Sequence, residues 1–147
     1  MLQKLQCREC KTSYEPNIAY FCEECFGPLE AIYDFDSIHL TRNEINSRSK
    51  NMWRYKELLP LQPQSKIIDL GTGYTTLHKC ENLGKYLGIK ELYIKDDTGN
   101  PSASFKDRPA SVAVSKAIEN KAKAVGCVST GNLAAATAAH AAKAGIP

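Results

Sequence analysis

The chain has 147 residues, 43% of them hydrophobic and 24% charged, with a formal net charge of +3 at pH 7. These proportions suit a soluble globular protein, and so mild a charge without any block of like sign argues against nucleic acid as a partner. No apolar run approaches the roughly 20 residues that span a bilayer, and the opening residues lack the apolar core of a signal peptide, so the expectation is no membrane, no export and a cytoplasmic protein.

The length allows one ordinary domain, or a small module followed by part of a larger one. Six cysteines in a chain without an export signal do not suggest a disulfide framework. Four of them form two tight pairs near the start, Cys7-Arg-Glu-Cys10 and Cys22-Glu-Glu-Cys25, while Cys80 and Cys127 stand alone. Each pair can aim two thiolates from one turn at a tetrahedral ion, and the spacer between the pairs can return as a hairpin. That spacing predicts a zinc-ribbon-like segment over residues 1–33, with Cys7, Cys10, Cys22 and Cys25 as ligands of structural Zn2+. A redox dithiol, iron in place of zinc, or a decayed site are the other readings of the same residues. Gly27 suits the end of a knuckle, Lys11 stands where glycine is preferred, and Tyr14, Tyr20, Phe21 and Phe26 are the expected small core. So short a segment buries little apolar surface, so metal would supply much of its stability.

Residues 34–66 read as a connector. Ile38 to Ser49 is polar, with Thr41 and Asn43 as candidate caps for a short helix. Trp53-Arg-Tyr-Lys-Glu-Leu-Leu-Pro60 is an aromatic and aliphatic patch expected to dock onto a neighbouring domain. Pro60 and Pro63 mark a boundary loop.

From Ile67 the pattern alternates between strands and helices. Gly71-Thr-Gly-Tyr-Thr-Thr-Leu77 is a glycine turn that fits neither the P-loop nor the dinucleotide fingerprint. Leu83 and Leu87 fit a short helix stopped by glycine, and Leu92–Lys95 reads as a strand. A helix is expected from Pro109 to about Lys123, then a buried strand over Ala124–Val128 with Cys127 as a small core residue. Ser129-Thr-Gly-Asn132 follows as a hydroxyl-rich turn into an alanine-rich helix over 133–144, stopped at Gly145-Ile-Pro147. Such a turn offers backbone N–H groups and a helix dipole to an anion. His140 reads as an ordinary helix residue. The sum is an α/β fold with parallel-sheet units, whose ligands would sit at strand C-termini.

Between the strand and the helix lies Asp97-Thr-Gly-Asn-Pro-Ser-Ala-Ser-Phe-Lys-Asp-Arg-Pro109. Its small turn-forming residues suit a loop that bends near a ligand. Pro109 and Asp107 suit the first turn of a helix. Lys106 therefore stands at the positive end of a helix dipole, which disfavours an ammonium and favours the neutral amine that attacks carbonyls. Taken alone, the stretch fits a surface lysine equally well.

Asn100-Pro-Ser followed by Ser104-Phe-Lys-Asp-Arg108, together with Ser129-Thr-Gly-Asn132, closely resembles the threonine synthases. These are fold-type II pyridoxal-phosphate enzymes of the tryptophan synthase β family. The resemblance spans nearly the whole chain, since several members carry a four-cysteine segment, a similar connector and then the catalytic domain, placed here at 67–147. It implies pyridoxal 5'-phosphate as cofactor and O-phosphohomoserine, an amino-acid phosphate, as substrate, converted with water to threonine and phosphate. It also implies a homodimer in the full-length protein. Carried over by position, Lys106 holds the cofactor and moves protons, Phe105 packs by its ring, and Asn132 hydrogen-bonds its phenolic oxygen. Ser129, Thr130 and the amides around Gly131 hold the substrate carboxylate. A cysteate synthase or a threonine or serine dehydratase shares much of this pattern, and a non-catalytic zinc-binding interaction module is a reading of another class.

Two positions depart from the family pattern: Thr75-Thr-Leu77 where Thr-Pro-Leu is usual, and Leu133 where a hydroxyl residue often follows the asparagine. The glycine-rich loop for the cofactor phosphate is not found in residues 1–147, so the expectation is an incomplete catalytic domain, inactive in isolation.

Overall fold

The computed structural model describes residues 2–17 and 19–147. Met1 and Ile18, both inside the expected first segment, lie outside the described residues. The first segment is a three-stranded antiparallel sheet of β1 (Leu2–Cys7), β2 (Ser13–Tyr14) and β3 (Leu29–Tyr33), in the order β2-β1-β3. The pairing of Leu5 with Tyr14 and Gln6 with Ser13 returns the chain directly after the first cysteine pair. The two knuckles are built alike. Lys11 N donates to Cys7 O and Phe26 N to Cys22 O, and both Lys11 and Phe26 take left-handed φ values, +66° and +58°. The place where glycine is preferred therefore does carry the left-handed backbone, here on a lysine. Of the expected aromatic core only Tyr14 is withdrawn from water. Tyr20 is 85% exposed and Phe26 76%, and Phe21 stacks on Phe26 at the surface with centroids 5.4 Å apart. The sulfur cluster occupies the centre that the rings were expected to fill.

Thr41 caps α1 (Arg42–Ser47) in a reciprocal arrangement: its Oγ1 accepts from Glu44 N (3.2 Å) while Glu44 Oε2 accepts from Thr41 N (2.7 Å). Met52–Leu58 then forms a 3-10 helix that interrupts its helical backbone at Tyr55. Trp53 is buried, and its Nε1 donates to Ser111 Oγ at 3.0 Å. Met52 N donates to Thr72 O (2.7 Å) and Gln62 N to Glu119 Oε2 (2.9 Å). Within the aromatic patch Trp53 docks as expected on the face of one helix, while Tyr55 and Leu58 stay exposed.

That helix is α3 (Asp107–Glu119), packed against α4 (Asn132–Ala144). Ile68, Ala110, Val114, Ala136 and Ala141 are all buried here, a core of mostly small residues. Ile68 sits where a strand was expected to begin, yet its backbone is satisfied by side chains. Ser115 Oγ accepts from Ile68 N (2.8 Å), and Ser111 Oγ donates to Ile68 O (2.6 Å). Both serines are fully buried.

The sheets depart from expectation. β4 (Leu77–Lys79) and β5 (Tyr93–Lys95) pair antiparallel, with Leu77 opposite Lys95 and Lys79 opposite Tyr93, and α2 (Glu81–Leu87) lies between them in sequence. No parallel pair occurs among the described residues. The buried strand expected over 124–128 is not formed. Val128 is fully exposed, Cys127 is exposed rather than a core residue, and Val125 N donates to Pro147 O alone (2.9 Å). A parallel strand needs a neighbouring strand to take up its slanted hydrogen bonds, and among the described residues no strand pairs with this stretch. The architecture is thus mixed α and β with small antiparallel sheets.

Candidate functional site

Two groups of residues carry chemistry. The first is the thiol cluster. The ligand atoms of Cys7, Cys10, Cys22 and Cys25 all lie within 4.8 Å of one another, with Sγ–Sγ distances of 3.5 Å for Cys7 and Cys25 and 3.4 Å for Cys10 and Cys22. Four sulfurs about 2.3 Å from one ion would stand roughly 3.8 Å apart. Gly27 makes room for them: a Cβ there would lie 3.0 Å from Cys7 Sγ and 3.2 Å from Cys25 Sγ. Without a cation the thiols divide the available protons among themselves. The Thr12 hydroxyl and amide lower Cys10 to about 6. The Gly27 amide pulls Cys25 down, but the neighbouring thiols Cys7, Cys10 and Cys22 outweigh it and raise it to about 12. The Tyr14 hydroxyl lowers Cys22 in the same way. Four cysteine sulfurs this close could hold one divalent ion, and their number, softness and spacing fit one.

The second group surrounds Lys106. The loop before it is stitched to its neighbours. Asp97 accepts from Arg108 Nε (3.0 Å), Arg108 Nη2 (2.7 Å) and Thr75 Oγ1 (2.7 Å). The Arg108 guanidinium, followed by the Thr75 hydroxyl, holds the Asp97 carboxyl at about 2. Asn100 Oδ1 accepts from Gly73 N (2.9 Å), and Asn100 Nδ2 donates to Asp97 O (2.9 Å). Gly73 has φ +87°, and a Cβ on it would stand 2.9 Å from Met52 N and 3.0 Å from Arg108 Nη1. Thr75 thus belongs to this bridge. Ala103 takes φ +55°, a left-handed backbone unusual without glycine, inside the loop that presents Lys106.

Lys106 is the cap of α3, and its N donates to Ser104 Oγ (3.2 Å). Its half-buried side chain lays Nζ over the Phe105 ring, 4.7 Å from the centroid. Among the described residues Nζ has neither a hydrogen bond nor an ion pair. An unpaired amine on an aromatic face, at a helix N-terminus, fits attachment to a carbonyl cofactor. Ser129 Oγ accepts from Gly131 N (3.3 Å), and Gly131 caps α4, so the turn is shaped around its own backbone amide. Thr130 and Asn132 are exposed. The turn reaches α4 from extended, unpaired chain rather than from a strand.

Phe105 and Lys106 are thus brought together, as are Ser129 and Gly131. No hydrogen bond, ion pair or ring contact among the described residues joins the first set to Ser129, Thr130, Gly131 or Asn132. A groove of about 490 Å³ runs between α3 and α4, lined by Pro109, Ala113, Leu133 and Thr137, with neither Lys106 nor Asn132 on its walls. The link between the two helices lies elsewhere, at a fully buried contact of Asp107 with His140 (Nδ1 to Oδ1, 3.7 Å). His140, read from the sequence as an ordinary helix residue, is fully buried at this contact. The signal that marks it is a ring-bearing polar residue on the one face of α4 that also carries Ala136 and Ala141 inward.

The family model described as pyridoxal-phosphate dependent enzyme matches residues 68–147. The threonine synthase of Methanocaldococcus jannaschii is 45% identical across 99% of the chain and 36% of its own length. That of Methanosarcina acetivorans is 41% identical across 97% of the chain and 35% of its own length. A third, from Halalkalibacterium halodurans, is 44% identical over 65% of the chain and 28% of its own length. The chain spans about a third of the length of the curated relatives it matches.

Proposed function

The chain belongs to the pyridoxal-phosphate dependent enzyme family, and from that premise we propose that it carries the cofactor lysine and the substrate-carboxylate turn of a threonine synthase. Two relatives of that name are similar to it along nearly all its length. The activity of the whole protein would then be conversion of O-phosphohomoserine and water to threonine and phosphate, by a homodimer. Residues 1–33 would be a zinc-bearing module, 34–66 a connector and 67–147 the catalytic portion.

Bound pyridoxal phosphate supplies an electron sink beside the substrate's α-carbon. The chain's own residues supply attachment and orientation. Lys106 Nζ would hold the cofactor at its carbonyl carbon, and as a free amine it would hold and return protons beside the substrate. The Phe105 ring covers one face and keeps water away. Asn132 donates to the cofactor's ring oxygen. Ser129 and Thr130 hydroxyls and the Gly131 amide bind the carboxylate, aided by the positive end of α4, whose 13 residues give a full dipole. Cys7, Cys10, Cys22 and Cys25 would hold Zn2+ as a closed, structural site.

One observation carries the reading: a lysine amine without a partner among the described residues lies over an aromatic ring, at a helix start inside the matched segment. The test is to incubate the protein with pyridoxal phosphate, reduce with borohydride and map the label by peptide mass spectrometry. Label concentrated on Lys106, and lost from that peptide in Lys106→Ala, is the expected result. Label spread evenly over the exposed lysines would refute the assignment.

A further inference from the structure

A fully enclosed polar cluster involves residues given no role above. Asp107, His140 and Thr72 come from three separate segments and are each 0% exposed. Asp107 opens α3, and its Oδ2 accepts from Ser102 N (2.7 Å) and Ser102 Oγ (2.8 Å). This closes residues 102–107 into a ring that contains Lys106. His140 Nδ1 stands 2.9 Å from Ala136 O, an atom that can only accept, so this nitrogen is assigned the proton. With the proton on Nδ1, Nε2 can accept from Thr72 Oγ1 at 3.3 Å. The other carboxylate oxygen, Asp107 Oδ1, has no hydrogen bond among the described residues and faces the same ring nitrogen at 3.7 Å.

A bare carboxylate oxygen in a sealed site is costly, and such groups are retained where position matters more than stability. Here three segments meet, and each leads to the candidate site. Asp107 directly follows Lys106. Asn132 lies eight residues before His140, two helical turns or about 12 Å along α4. Thr72 begins the turn whose Thr75 is bound to Asp97 and Arg108. The Lys106 amine has no polar partner among the described residues, so its aim depends on the backbone around it.

We propose that Asp107 and His140 are positioning residues: through Ser102 and the first turn of α3, they set the direction of the Lys106 amine relative to Asn132 and the Ser129–Gly131 turn. The proposal rests on Lys106 being the cofactor lysine. Removing the imidazole takes away the ring that packs 3.7 Å from Asp107 Oδ1, while α4 keeps its own backbone bonds. The start of α3 can then shift, and a misplacement of about 1 Å costs on the order of 100-fold in a positioned reaction.

The test compares the wild-type protein with His140→Ala, His140→Asn and Thr72→Val. Each is melted by circular dichroism, and all are then treated with pyridoxal phosphate and borohydride at a temperature where they are folded. The readout is the ratio of label on Lys106 to label on the exposed Lys143 of the same sample, which global stability does not move. His140→Ala should lower that ratio about tenfold or more. In His140→Asn the amide nitrogen replaces Nδ1 toward Ala136 O, so part of the ratio should return. Thr72→Val, nearly the same shape without the hydroxyl, should lower it as well. A wild-type preference for Lys106 that persists undiminished in the folded variants overturns the positioning role alone. If His140→Ala does not fold, the other two variants decide by the same criterion. No preference in the wild type overturns the cofactor-lysine assignment and this proposal with it.

Discussion

Replacing Asp97 with asparagine removes the charge from the bridge that ties the Gly71–Leu77 turn, the loop before Lys106 and the first turn of α3 together. The carboxylate accepts three side-chain hydrogen bonds, two of them from Arg108. Its carboxyl is held at about 2 against an ordinary 3.8, which corresponds to roughly 2 kcal/mol of folding free energy at neutral pH. The side chain is still 26% exposed, so solvent screens the pair and about 1 kcal/mol is the better expectation. In a domain of this size that lowers the melting temperature by about 3–5 °C. The sign with pH follows from the direction of the shift. The fold favours the ionised form, so the contribution is complete above about pH 4 and is lost as pH falls toward 2. Thermal melts of wild type and Asp97→Asn at pH 7, 5, 4 and 3 should show a deficit that is constant down to pH 4 and narrows below it. Loss of metal in acid affects both proteins alike and cancels in the difference. A deficit that stays the same at pH 3 as at pH 7 would refute the electrostatic account and leave only a change of shape.

Other expectations follow from single contacts. Gly73→Ala should destabilise by about 2 kcal/mol or more, because its Cβ meets Met52 N, whereas Gly71→Ala, with a similar φ but nothing within 4 Å, should lose only about 1 kcal/mol to backbone strain. Urea denaturation of the two variants separates these, and equal losses would contradict the close approach at Gly73. Trp53→Phe deprives Ser111 Oγ of one donor but leaves its own bond to Ile68 O intact, so a loss of about 1–2 kcal/mol is expected from dichroism-monitored unfolding. Cys22→Ser should reduce zinc from one equivalent per chain to none by elemental analysis, and chelation of the wild type should lower its melting temperature. Zinc retained by the variant would exclude a four-cysteine site.

What was legible in the sequence was local. The cap at Thr41, one of two candidates beside Asn43, the helix after Lys106 and the alanine-rich helix after Asn132 rest on signals within four residues of the element, and each helix forms there. The two cysteine pairs were equally plain, because ligand spacing is itself a local pattern. The sheets were not. Leu92–Lys95 was read as one rung of a parallel sheet, but pairing depends on a partner elsewhere in the chain, and its partner is the adjacent Leu77–Lys79. Ala124–Val128 has the composition of a buried strand and no neighbour to make it one. At the site, Lys106 and Phe105 were found by motif. Asp107 was read only as a dipole-complementing residue and His140 as unremarkable, because their meeting joins residues 33 positions apart and their third member, Thr72, is 68 positions from the histidine. Pattern along a helix tells which residues face inward, and it is silent about what they face.

The side-chain bonds that fasten the rest of the chain to α3 span long stretches of sequence. Ile68 is joined to Ser115 across 47 residues, Trp53 to Ser111 across 58, and Pro16 O to Lys116 Nζ across 100. In a growing polypeptide these partners are made long before the helix that receives them. Until about residue 119 has emerged, the connector and Ile68 have no α3 hydroxyl to meet. Such dominance of distant contacts slows folding relative to a bundle of neighbouring helices. It also leaves the Trp53 patch uncovered in the interval, when association with other chains competes with docking. The order of assembly is therefore written into α3, which arrives late and locks what came before it.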